Sequence, residues 1–201
     1  MRIFICLLLF VSLKAIGAQA QTKELDSFFK DKWKLTKSAK QDLVEGEVLS
    51  DVNVNSDKKQ QSFDLQAAGW HNRKCAPVLR KLSMLEKYKD WMGFVKSSTY
   101  NEKARLFTLT ADHTLLPNPM IIHIIMDRPT KQGVYPFFFP TGMFTGLKGH
   151  FTITEKNDRC LIYANSSWKG KKTRYPDTVI EIFAETLSRK GAEILIRKTQ
   201  F

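Results

Sequence analysis

The sequence predicts an α+β fold, on three observations. A pair of segments with apolar residues at alternate positions opens the chain after residue 45. A series of further alternating segments follows two short helix-period stretches. A long amphipathic segment of helical period closes the chain.

The first twenty residues are expected to be a cleaved signal peptide. Arg2 precedes an apolar run from Ile3 to Leu13, and Ala18-Gln19-Ala20 fits a small-x-small cleavage site. The run is too short for an anchor, and no later segment approaches eighteen apolar residues. The expected localisation is therefore exported, periplasmic or extracellular. The full chain of 201 residues carries a formal charge of +12. An exported basic protein meets anionic lipid, envelope polymers or acidic partners rather than nucleic acid. No glycine-rich phosphate loop, zinc-ligand spacing or internal repeat is present. Cys6 leaves with the signal, so Cys75 and Cys160 remain, as one disulfide or as two separate buried thiols.

Residues 21–44 are expected to form an N-terminal helix and linker, with Leu25, Phe28, Phe29 and Trp33 at helical spacing. The bland reading packs this helix on the domain edge, and the sharper one lays it on a membrane. Residues 45–201 form the main domain. Within it, "EVLSDVNV" and "SFDLQAAGW" read as an antiparallel hairpin around the turn "SDKKQQ". Val78, Leu79, Leu82 and Leu85 mark a short helix with Pro77 in its first turn, where a missing N–H is harmless. Lys87 to Trp91 forms a second brief turn, and "FVKSSTY" a strand. "RLFTLTADH" places Phe107, Leu109 and Ala111 on one side. "PMIIHIIM" is nearly all apolar and is expected to be covered on both faces. "LKGHFTIT" alternates Leu147, Phe151 and Ile153 with Lys148, His150, Thr152 and Thr154. "EKNDR" is a turn, and "CLIYANSSW" the last strand. In the closing helix, Val179, Ile182, Phe183, Thr186, Leu187 and Ile194 share a face, and Asp177 is the expected N-cap.

This order, with "CAPVLRKLSMLEKYKDWMGFVKSS", "LPNPMIIHIIMDRP" and the amphipathic C-terminal helix, resembles the START-like or Bet v 1-like superfamily, which also holds polyketide cyclases and coenzyme Q-binding proteins. The resemblance covers residues 45 to 198. It implies a helix-grip fold, in which a curved antiparallel sheet wraps the long C-terminal helix around an apolar cavity. It also sets the end of "SFDLQAAGW" beside the start of "CLIYANSSW", which brings Cys75 and Cys160 within disulfide range. No shared catalytic motif comes with the superfamily, so no catalytic residue, cofactor or metal ligand is carried over.

On that fold, the expected function is binding of a hydrophobic small molecule or lipid, such as an isoprenoid. The expected wall residues are Trp91, Phe94, Phe107, His123, Tyr135, Phe137, Phe139, Met143, Phe144, Phe183 and Leu187. A cyclase- or hydrolase-type enzyme using His123 or Asp112, and an interaction domain with a filled cavity, are the alternatives. A buried ring at His123 needs a partner, either in the core or on a ligand. His71 reads as a loop residue and His150 as solvent-facing. His113 stands near a strand end. Asp112, Asp127 and Arg128 read as structural charges at strand ends. Lys169, Lys171, Lys172 and Arg174 form a basic run, either a solvated loop or a contact with an anionic membrane surface.

"GVYPFFFPTGMFTGLKG", residues 133 to 149, puts three rings between two prolines. Alternation sends Phe137 and Phe139 to one face and Phe138 to the other. It is a pocket wall, plain core or a membrane-touching tip, depending on which side Phe138 faces.

Overall fold

Eight antiparallel strands form one sheet in the computed structural model, which describes residues 22–112 and 119–199. The strands are β1 (Val48–Ser56), β2 (Gln60–His71), β3 (Val95–Asn101), β4 (Leu106–Ala111), β5 (Met120–Met126), β6 (Gly133–Phe138), β7 (Lys148–Lys156) and β8 (Arg159–Lys171). Their spatial order is β1-β2-β8-β7-β6-β5-β4-β3. The helices are α1 (residues 22–29), α2 (Lys37–Glu45), α3 (Cys75–Leu82), α4 (Tyr88–Trp91) and α5 (Asp177–Lys198). A single 3₁₀ turn, Leu85–Lys87, joins α3 to α4. The expected signal segment and His113 lie outside the described residues.

Local chemistry accounts for the turns. The β1–β2 turn is only residues 57–59, shorter than expected, because Gln60 and Gln61 already pair with Lys171 and Gly170. The Asp57 carboxylate accepts from the Lys59 and Gln60 amides, each at 2.7 Å, which holds the turn closed. Those two amides hold its carboxyl below the usual range. The β7–β8 turn tightens onto Asn157 and Asp158, both at positive φ, which Asn and Asp tolerate best after glycine.

The helix α5 departs from expectation in two ways. Pro176 holds the N-cap position, and Asp177 is the first helical residue. The Asp177 carboxylate accepts from Gln61 Nε2 (2.6 Å) and Ser56 Oγ (2.9 Å), so it pins the helix start to the hairpin instead of capping it. Those bonds depress its pKa, with Gln61 as the main cause. The buried face is Ile180, Phe183 and Gly191, whereas Val179 and Ile182 stand 40% and 56% exposed. Small residues on the inward side hide the true face from a hydrophobicity pattern.

The sheet has two inner surfaces. On the convex side, Ala68, Trp70, Leu161 and Tyr163 of β2 and β8 meet Leu25 and Phe29 of α1 and Leu43 of α2. Phe29 meets the Tyr163 ring edge-on, with centroids 5.6 Å apart. Arg159 lies over the Trp70 ring and donates to the carbonyls of Val44 (3.0 Å) and Trp70 (2.9 Å). It thereby satisfies a carbonyl near the end of α2. The N-terminal helix thus covers the outer face of the sheet. The expected cover on both faces of β5 is not found: Ile121 is 57% exposed on the outer side. The stretch "PFFF" resolves the same way, with Phe138 outward and 42% exposed.

Cys75 and Cys160 form a disulfide, with Cα atoms 4.6 Å apart and both residues fully buried. Pairing of His71 with Cys160 in the β2–β8 ladder puts the start of α3 against the start of β8. His71 is not a loop residue: it ends β2 and is fully buried. Its Nδ1 accepts from the Arg73 amide (3.0 Å), so its Nε2–H donates to the Ile196 carbonyl (3.2 Å) and ties down the end of α5. Desolvation is the main cause that lowers its pKa, reinforced by Arg73 and Arg159, while the Ile196 bond opposes the shift.

Two predictions follow from these ties. Cys75→Ala paired with Cys160→Ala releases a loop of sequence separation 85. The chain-entropy model puts the loss at about 4–5 kcal/mol, to be read as a lower urea midpoint. For His71, the folded pKa lies below the unfolded value of about 6.5, so the unfolded chain binds the extra proton first. Stability is therefore fully present above pH 6.5 and falls as pH drops below it. Urea midpoints measured from pH 7.5 to 5.5 should decline, and His71→Gln should flatten that part of the slope.

Candidate functional site: an apolar cavity beneath the last helix

Alternation along the strands sends one residue set to the concave face. β2 supplies Leu65, Ala67 and Gly69, β8 supplies Ile162 and Ala164, and β7 supplies Phe151 and Ile153. β4 adds Phe107, Leu109 and Ala111, and β5 adds Ile122, Ile124 and Met126. Above them, α5 lies against β1 and β2. Small residues on β2 and β8 let it come close. A Cβ at Gly69 would stand 2.7 Å from Ile196 Cδ1. α5 leaves the inward side chains of β4 and β5 uncovered, and Leu85 and Tyr88 pack there instead, on Phe107 and Met126. The stretch from Leu82 through Leu85, Tyr88 and Met92 to Phe94 and Val95 closes the other side. Between these surfaces lies a cavity of about 430 Å³, within the range of ligand sites.

The wall offers almost no chemistry. Among the described residues it holds no His, Cys, Asp, Glu, Lys or Arg. Its two side-chain hydroxyls are already engaged. The Tyr88 hydroxyl donates to the Leu82 carbonyl at 3.0 Å, and its apolar surround pushes the phenol above its ordinary pKa. The Ser188 hydroxyl lies 3.0 Å from the Glu185 carbonyl, to which it donates, and 2.6 Å from Ser50 Oγ. A guest gains affinity here by leaving water, not by hydrogen bonding.

Of the expected wall residues, Phe94, Phe107, Phe137, Phe139 and Leu187 lie in the wall. The other six lie elsewhere, each for a definable reason. Trp91 sits beyond it with its ring on Tyr88 (centroids 5.6 Å), and Tyr88 takes the inward place. Tyr135 is buried behind the wall, stacked on Phe151 at 5.2 Å, and donates to the Lys131 carbonyl at 2.6 Å. Met143 stands 36% exposed in the loop after β6. Phe144 packs edge-on against Phe63 and Trp168, both at 5.3 Å. Phe183 is buried between α5 and its neighbours outside the cavity. His123 points outward, between the inward Ile122 and Ile124, and bonds Thr108 across the ladder at 3.1 Å.

The alternative catalytic groups are therefore not brought together. Asp112 pairs with Lys96 (3.6 Å), and Asp127 with Arg105 (3.3 Å). Arg128 joins Glu86 (2.7 Å) and Glu102 (2.6 Å) and lies over Tyr100; those carboxylates, Glu86 first, hold its pKa up, and its guanidinium in turn lowers that of Glu86. These are structural contacts at strand ends. Among the described residues, no group of three or more His, Cys, Asp or Glu could hold a metal ion. None of their helices is long and apolar enough to cross a membrane.

Sequence reasoning missed Leu65, Ala67, Ala164, Ile122, Ile124 and Gly191 as wall residues. Two signals pointed to some of them. "MIIHIIM" alternates about its histidine, and the face of Phe107, Leu109 and Ala111 continues across the ladder into Ile122 and Ile124.

The chain has the START-like, Bet v 1-like helix-grip fold, and solved structures that it resembles share it. A START superfamily protein from Mycobacterium smegmatis is 14% identical with a TM-score of 0.52, covering 77% of this chain and 98% of that one. The Zhui aromatase/cyclase from a Streptomyces species is 10% identical with a TM-score of 0.55, covering 69% and 94%. A STAR-related lipid transfer protein fragment from Xanthomonas axonopodis is 10% identical with a TM-score of 0.51, covering 75% and 99%. No protein-family model matches the chain. No curated protein matches it.

Filling the cavity gives a direct check. Ala164→Phe, on the cavity floor, should reduce binding of an apolar fluorescent probe such as anilinonaphthalene sulfonate at least tenfold. Far-UV circular dichroism should be unchanged.

Proposed function

We propose that this protein binds one hydrophobic ligand, a lipid, isoprenoid or similar molecule, in the cavity beneath α5 and releases it unchanged. The observation that carries this reading is the wall itself: nearly all hydrocarbon and aromatic, with, among the described residues, no titratable side chain except a tyrosine whose hydroxyl is engaged. General acid–base chemistry needs a group within hydrogen-bond reach of the substrate. Proteins of this fold include a lipid transfer protein and an aromatase/cyclase, and the wall favours the first kind of activity.

Export is part of the proposal. It is supported by the N-terminal apolar run and by the buried disulfide, which suits an oxidising compartment. So is brief contact with an anionic membrane. Lys169, Lys171, Lys172 and Arg174 are all exposed, just before the exposed Val179 and Ile182 of α5. Such a patch combines electrostatic attraction with apolar insertion, at about 1 kcal/mol per basic residue near the surface.

Native mass spectrometry of protein recovered from the exported fraction tests the reading. It should show a bound lipid that solvent extraction removes. Protein that carries no lipid and takes up none from vesicles would overturn it. Flotation with phosphatidylglycerol vesicles should be salt-sensitive and should weaken on replacing the four basic residues by glutamine.

A further inference from the structure

We infer that the cavity takes the hydrocarbon tail of an amphiphile, with the polar end left outside, and that Gly191 sets how long a tail it accepts. This rests on the ligand-binding reading above and narrows its chemical class. Three observations carry it.

The first is volume. At about 430 Å³ the cavity has room for the apolar part of a lipid-sized ligand.

The second is the polar inventory. The Tyr88 and Ser188 hydroxyls are engaged by Leu82, Glu185 and Ser50, and the described wall carries no charge. A carboxylate or phosphate drawn inside would lose its hydration with nothing in return. The tail goes in and the head stays in water.

The third is Gly191. Glycine is among the poorest helix formers, yet this one lies inside the 22-residue α5, buried, on the cavity side. Gly69 and Gly149 have packing reasons, since a Cβ there would stand 2.7 Å from Ile196 Cδ1 and 2.2 Å from the Asn165 carbonyl oxygen respectively. Among the described residues, and apart from the backbone of its own helix, no atom lies within 4 Å of where a Cβ at Gly191 would be, and its φ is not positive. Neither packing against the described residues nor backbone conformation calls for glycine here. What its missing side chain keeps open is room in the cavity, where a tail can touch the helix backbone.

The test uses the full purified protein, stripped of lipid, titrated with saturated fatty acids from C8 to C20. Affinity should climb with chain length and then stop rising, and the plateau should come at a shorter chain in Gly191→Leu than in the wild type. Gly191→Ala should raise the melting temperature of the lipid-free protein by about 2–4 °C. At the same time it should weaken binding of the longer chains relative to C10. Gly191→Leu should weaken the longer chains at least tenfold and leave C8 nearly unchanged. A plateau at the same chain length in the wild type and in Gly191→Leu overturns the role given to Gly191 and leaves cavity binding standing. Failure of every probe overturns both. A lipid-free Gly191→Ala protein that melts lower than wild type makes the glycine a structural requirement and overturns its assigned role.

Discussion

The antiparallel ladder between β2 and β8 determines what each side of the sheet contains. It runs from Gln60 opposite Lys171 to His71 opposite Cys160. Side chains alternate along both strands, so one register sorts two sets of residues. Trp70, Leu161 and Tyr163 go to the convex side and demand a cover of helices. Ala67, Gly69 and Ala164 go to the concave side and admit α5 closely. The same ladder brings Cys160 beside the start of α3, and its last residue, His71, holds the end of α5. The cavity is the space this arrangement cannot fill, because α5 is drawn toward the small residues of β2 and away from β4 and β5.

That origin explains the chemistry of the cavity. Its lining was sorted by strand alternation for apolar character, so charged groups sit at strand ends and on the outer face. Asp112, Asp127 and Arg128 find partners there, and His123 finds Thr108. A site built this way recognises shape and hydrophobicity with little reference to functional groups. Such binding strengthens with the apolar area removed from water, on the order of 25 cal/mol per Å².

Much of the fold was legible because period and punctuation agree in this chain. The hairpin, the face of Phe107 and Ala111, the split of Phe138 from Phe137 and Phe139, and the disulfide all come from alternation or from the strand pairing that the resemblance implies. The site was legible only in part. In a four-residue helix such as α4, spacing does not decide whether Tyr88 or Trp91 turns inward. In α5 the inward positions include Ser188, Gly191 and Ala192, which a hydrophobic pattern overlooks, so the expected face was rotated toward Val179 and Ile182. Large rings attract attention in a sequence, but Tyr135, Phe144 and Phe183 are consumed by packing between elements. The open volume is marked by the small residues instead.

The cover on the convex side has a bearing on where this protein can be cut. Phe28, Phe29 and Trp33 contact Tyr163 by ring packing, and Arg159 holds the end of α2 through one carbonyl. None of this is a β-ladder, so residues 22–45 can be removed without unpairing a strand. Removing them would nevertheless bare Trp70, Leu161 and Tyr163 as one contiguous patch on the back of the sheet. Exposed patches of that kind drive self-association. A shortened chain that keeps the whole grip and its cavity would therefore trade its colloidal solubility for its smaller size.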